Sequence, residues 1–137
     1  MASERDKAYA AAIAAVARAE GELGTVQDEL FSLARALGGH EELLSTLTDA
    51  QVPVDRRQQI VEDLLSGKVS KTTLATVSMV VAAGRARDLS GIADELVALG
   101  AAEGGKQVAV VRSAIDLTDD QKTRLAAALQ TAVGKPV

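Results

Sequence analysis

From Thr72 to Gly84 the chain runs thirteen residues, TTLATVSMVVAAG, without a charge. As a helix, this segment has no side made for water, whereas helices of small soluble domains keep a charged face opposite the apolar one. It therefore needs a second surface. Either the rest of the chain encloses it, or one face packs inward and the other meets a partner. A bilayer is not that surface, because a helical span takes about 20 apolar residues.

Composition says what surrounds it. The chain has 137 residues, 26 of them alanine, and no cysteine, which rules out disulfides and thiolate metal sites. Alanine loses no side-chain entropy in a helix and lets backbones approach closely, so a mostly helical chain with thin interfaces is expected. The net charge of −4 argues against nucleic acid, whose affinity rests on Lys and Arg neutralising phosphates. Tyr9 and Phe31 are the only aromatic residues, too few for a base-stacking platform. The opening MASERDK is charged where a secretory signal needs an apolar run.

Local signals place six helices before Gly104. Ser3 caps the first, with Asp6 at the third helical position, and Gly21 stops it. Tyr9, Ile13 and Val16 share one of its faces. A second runs from Glu22 to Leu37 with Val26, Leu30, Leu33 and Leu37 on one stripe, and a short third spans His40 to Leu47. Pro53 opens a fourth, carrying Val54, Ile60, Val61, Leu64 and Leu65 until Gly67. Ser70 caps the uncharged helix, and Gly84 suits its left-handed end. Asp88 or Ser90 begins the sixth, with Ile92, Leu96 and Leu99 inward.

After Gly104–Gly105 the pattern changes. QVAVVRSAI, residues 107–115, reads as a strand, and Thr118 with Gln121 makes a capping box for a helix ending at Val133–Gly134. Residues 1–104 hold 10 basic and 16 acidic side chains, and residues 105–137 hold 5 and 3, so the sign of the net charge reverses. The expected architecture is mainly α: a six-helix bundle over 1–104, then a partial α/β segment of one strand and one helix over 105–137. A lone strand lacks the second strand that its backbone groups require. The segment is therefore expected to be an incomplete domain, or to pair with a strand from elsewhere.

Chemistry finds little footing. His40, the only histidine, follows two glycines and has no acid and nucleophile arranged about it. Glu41–Glu42 and Glu62–Asp63 are neighbours in sequence, and adjacent helical residues diverge. GKVSKTT lacks the full phosphate-loop pattern and a preceding strand. No catalytic residue, cofactor site or metal site is expected. The uncharged helix remains. Leu74, Val77 and Val81 share one of its faces, and Thr76, Met79, Val80 and Ala83 another. That second face, beside Tyr9, Ile13 and Val16, would form an apolar groove for an amphipathic helix, with Ala12 and Ala83 allowing close approach.

Three segments carry a resemblance. YAAAIAAVARAEG (through Tyr9, Ala10, Ala12, Ala17 and Gly21), VVAAGRARDL (through Gly84–Arg85) and VVRSAIDLTDDQ resemble, in this order, motifs of the δ-subunit family of F-type ATP synthase, called the oligomycin-sensitivity-conferring protein in mitochondria. The resemblance implies a six-helix N-terminal bundle that binds N-terminal helices of the α subunits. It also implies a C-terminal domain that binds the b subunit of the peripheral stalk. Carried over, the partner face is Tyr9, Ala12, Ile13, Val16, Thr76, Met79, Val80 and Ala83. The protein would be a non-catalytic stator component, peripheral on the cytoplasmic face of the membrane, with neither nucleic acid nor membrane insertion involved. A free-standing adaptor for an unrelated amphipathic helix fits the same groove.

The chain departs from the family pattern in two ways. Ala14 stands where the family often has phenylalanine, which would thin the partner contact. The family chain also continues past GKPV, which suggests a fragment. Some high-GC bacteria fuse the δ segment to a b-like membrane segment, and the alanine-rich composition is compatible with such a source.

Overall fold

The computed structural model of the chain describes residues 3–103, 111–112 and 114–137. Among them are α1 (Glu4–Ala19), α2 (Leu23–Gly38), α3 (Glu41–Thr48), α4 (Val54–Leu65), α5 (Lys71–Ala82), α6 (Leu89–Glu103) and α7 (Asp119–Val133), with a single 3₁₀ turn, Ala86–Asp88, leading into α6. The protein is mainly α. The backbone divides into two units, Met1–Val97 and Ala98–Val137.

Helix ends follow local chemistry. The Asp6 N–H donates to Ser3 Oγ at 3.1 Å, and the Ser3 N–H returns to Asp6 Oδ2 at 3.2 Å, completing a capping box on α1. Pro53 sits one position earlier than expected, at the N-cap of α4, where its missing N–H costs nothing. The 3₁₀ turn explains why two residues competed for the start of α6. Asp88 lies in that turn, and Leu89 opens the α-helix.

In the first unit every helix contributes to the core. Ala10, Ile13 and Ala17 of α1, Val26 and Leu30 of α2, Leu44 and Leu47 of α3, Val61 of α4, Val77 and Val81 of α5, and Leu89, Ile92 and Leu96 of α6 are all buried. Each fully buried Leu or Ile contributes about 1.5–3 kcal/mol by leaving water. Helix α2 is central to this packing, being a neighbour of α1, α3 and α5. Its Gln27 side chain donates to the Leu96 carbonyl at 3.0 Å. Ala14 also points inward, so its small size affects packing within the bundle and not the outer face.

Helix α4 departs from the stripe expected of it. Val54 and Leu64 are exposed, Ile60 and Leu65 are half-buried, and Arg57 is buried beside Val61.

In the second unit the capping box on α7 is present, with Gln121 N–H donating to Thr118 Oγ1 at 3.2 Å and Thr118 N–H to Gln121 Oε1 at 2.9 Å. Gly134 closes the helix at φ +78°. The strand expected over 107–115 is not found. Residues 107–110 and 113 lie outside the described residues, and Val111, Arg112, Ala114 and Ile115 take no strand conformation. The described residues offer no second strand to pair with. Among them this unit is the end of α6, residues 98–103, and the capped helix α7 with its flanking segments, and α7 has no buried residue.

Candidate functional site

Helix α5, whose one charge is Lys71 at the already positive N-terminal end, cannot balance its own dipole or satisfy its own end groups, so others must do it. At the N-terminus of α5, Ser70 Oγ accepts from the Thr73 N–H at 3.2 Å. Glu29 of α2 then takes the Ser70 N–H on both carboxylate oxygens, at 3.0 and 3.1 Å, and the Thr73 hydroxyl at 3.0 Å. At the other end Gly84 turns left-handed at φ +76°. Its N–H donates to the Val81 carbonyl, and that of Arg85 to the Val80 carbonyl, both at 3.0 Å. This is the paired Schellman arrangement that glycine permits. The Val81 carbonyl takes a second bond, at 3.2 Å, from the buried guanidinium of Arg57. An acid thus stands at the positive end of α5 and a base at the negative end, both supplied by neighbouring helices.

With its ends secured, α5 divides cleanly. Thr73, Thr76, Val77, Val80 and Val81 face inward, and Ala75, Met79 and Ala83 face out. Helix α1 does likewise. Its uncharged run, residues 8–17, buries Ala10, Ile13, Ala14 and Ala17 and exposes Ala8, Ala11, Ala12, Ala15 and Val16. Of the eight residues expected on a partner face, Ala12, Val16, Met79 and Ala83 are exposed and Tyr9 is half-buried, while Ile13, Thr76 and Val80 are buried. Val16 keeps 55% of its surface in solvent and Met79 keeps 47%, whereas Val80 keeps none. The two helices share α2 as a neighbour.

Other candidate chemistry resolves into structure. A surface depression of about 520 Å³ is lined by Gly39, His40, Glu41, Glu42, Leu43 and Thr46. Its Glu41 carboxylate is already held by Arg87, at 2.6 and 3.1 Å. That hydrogen bonding first, and the guanidinium charge second, lower the Glu41 pKa below its ordinary 4.5. The same pairing raises that of Arg87. Among the described residues no group of three or more His, Cys, Asp or Glu side chains could hold a metal ion. No helix among them is long and apolar enough to cross a membrane. Arg57 and Glu29 escaped sequence reasoning. The signal for Arg57 was faint: it shares the face of Val61, four residues on.

The molecule is thus a mainly helical protein in which two helices, uncharged over residues 8–17 and 72–82, turn apolar side chains to solvent. The chain belongs to the ATP synthase delta (OSCP) subunit family, whose profile matches residues 6–137. It is 39% identical over 117 residues to the ATP synthase subunit delta of Nocardia farcinica, covering 85% of this chain and 43% of that protein. To that of Beutenbergia cavernae it is 36% identical over 137 residues, covering 100% and 51%. To that of Thermobifida fusca it is 38% identical over 116 residues, covering 85% and 43%. The chain therefore spans about half the length of these relatives, or somewhat less.

Proposed function

We propose that this chain is the head-binding part of a non-catalytic stator subunit. It would link the catalytic head of an F-type ATP synthase to the peripheral stalk and so support rotary, proton-driven ATP synthesis. The docking surface is the outward side of α1 and α5. Tyr9, Ala12, Val16, Met79 and Ala83 contact an amphipathic N-terminal helix of an α subunit, while Ile13, Thr76 and Val80 support them from beneath. The second unit belongs to the part that meets the b subunit, and the complex sits at the cytoplasmic face of the membrane.

One observation carries this reading. Val16 and Met79, on two helices that each lack charge through their middle, remain about half exposed. A stator contact must dissociate slowly under torque. Exposed ion pairs contribute only about 0–1 kcal/mol each. Apolar burial contributes about 25 cal/mol per Å², less the costs of association. Outward stretches that carry no charge from 8 to 17 and from 72 to 83 suit that requirement.

The test is an NMR titration with a synthetic peptide of the α-subunit N-terminus. Shifts concentrated in α1 and α5 are expected, and Met79→Asp should weaken binding at least tenfold with the helical circular dichroism unchanged. Binding that is equal in parent and variant, or shifts confined to α3 and α4, would refute the assignment.

A further inference from the structure

Arg57 is the least expected residue in the molecule. It lies on α4 with only 7% of its surface exposed, and among the described residues it makes no ion pair. Its Nε donates to the Val52 carbonyl at 3.1 Å, and one terminal nitrogen donates to the carbonyls of Leu47 at 3.4 Å and Val81 at 3.2 Å. Leu47 belongs to the last turn of α3, Val81 to the last turn of α5, and Val52 to the loop before α4. Two helix C-termini, each carrying partial negative charge, therefore converge on one cation.

Stability alone does not account for a charge in this place. A buried ion is costly to desolvate, and apolar residues of similar volume often replace buried charges at no loss. What an apolar side chain cannot supply is the geometry. A rigid, planar guanidinium reaches three carbonyls in fixed directions, and so ties the last turn of α5 to α3 and the loop. That turn ends beside the outward residues Met79 and Ala83. A surface already held in its binding form loses less entropy when a partner arrives.

We infer that Arg57 is a positioning residue for docking. Through the Val81 carbonyl it holds the C-terminal turn of α5 in the register at which Met79 and Ala83 meet a partner helix. This inference rests on the docking role proposed above.

The experiment uses the full 137-residue chain and the same α-subunit N-terminal peptide. Arg57→Met and Arg57→Lys are compared with the parent and with Val61→Ala, a core variant one turn along the same helix that weakens the fold while keeping the guanidinium and all three of its carbonyl partners. Arg57→Met should raise the peptide Kd about tenfold and speed amide exchange at Gly84 and Arg85 relative to the core amides of α2. Arg57→Lys, which keeps a donor but loses the planar fork, should fall between. Val61→Ala should lower the midpoint of unfolding with the peptide Kd nearly unchanged.

Three results overturn the inference: parent-like affinity in Arg57→Met, unchanged exchange at Gly84 and Arg85, or an equal affinity loss in Val61→Ala. If the parent itself fails to bind the peptide, the docking role falls and this inference falls with it. Normal parent binding with an indifferent Arg57→Met removes Arg57 alone.

Discussion

Gly91 shows how closely α1 and α6 approach. A Cβ placed there would overlap the Asp6 carboxylate, with Cγ only 3.0 Å away. Asp6 cannot easily yield, since its Oδ2 is engaged in the capping box. Gly91→Ala should therefore destabilise the parent by about 1–3 kcal/mol through overpacking. In an Asp6→Ala background the same change should stabilise by up to about 1 kcal/mol, because alanine is the better helix former. A double-mutant cycle from urea denaturation reads this reversal of sign, and a Gly91→Ala cost that persists without Asp6 would show another obstruction. Glu41 gives a second residue-level expectation. Its folded pKa lies below 4.5, so the stabilisation from Arg87 is complete above that value and is lost as pH falls through the folded one. An NMR titration should place the Glu41 midpoint below 4.5 in the parent and return it there in Arg87→Gln.

At the scale of the element, α5 is braced by residues that belong to other helices. Glu29→Gln keeps one acceptor oxygen but removes the charge and the paired bonds to Ser70 and Thr73. It should cost about 1–2 kcal/mol, the range for charge-assisted bonds at a helix start. Ser70→Ala should cost about 1 kcal/mol as a lost cap. Since Glu29 and Ser70 serve the same N-terminus, the double variant should lose less than the two losses added together. Strict additivity in a denaturation series would mean that they act apart. The caps and stops of α5 were legible in the sequence, because Ser70 and Gly84 act within one turn of their own positions. The rotation of the helix was not. Periodicity sets rotation by contrast between polar and apolar faces, and a run without charge offers almost none. Thr76 and Val80 were for that reason expected outward and are found inward, while Met79 and Ala83 face out as expected.

At the scale of the molecule the two units differ in what supports them. Residues 3–97 bury side chains from six helices, whereas α7 holds its 15 residues with none buried and relies on its capping box and alanine content. Isolated helices of about 12–15 residues are marginal in water. Thr118→Ala should consequently reduce the helical circular dichroism by most of the α7 contribution, with the main unfolding transition unmoved. A shifted main transition would mean that α7 is coupled to the larger core. The order of helices and their breaks could be read from residues 3–103, since caps, glycines and apolar spacing act locally. The tie from Arg57 to Val81, 24 residues on, and the approach of Asp6 to Gly91 could not, because those neighbours come from distant parts of the chain.

The acid and the base that hold α5 both lie off the helix itself. Its outward residues are therefore spared any structural duty, and what they present can be rewritten with little effect on where the helix lies. Exchanges at Ala75, Met79 or Ala83 should alter which visitor is admitted while leaving the scaffold as it is. This separates the fixed frame from its exchangeable lining, so the lining can follow a partner whose own sequence changes.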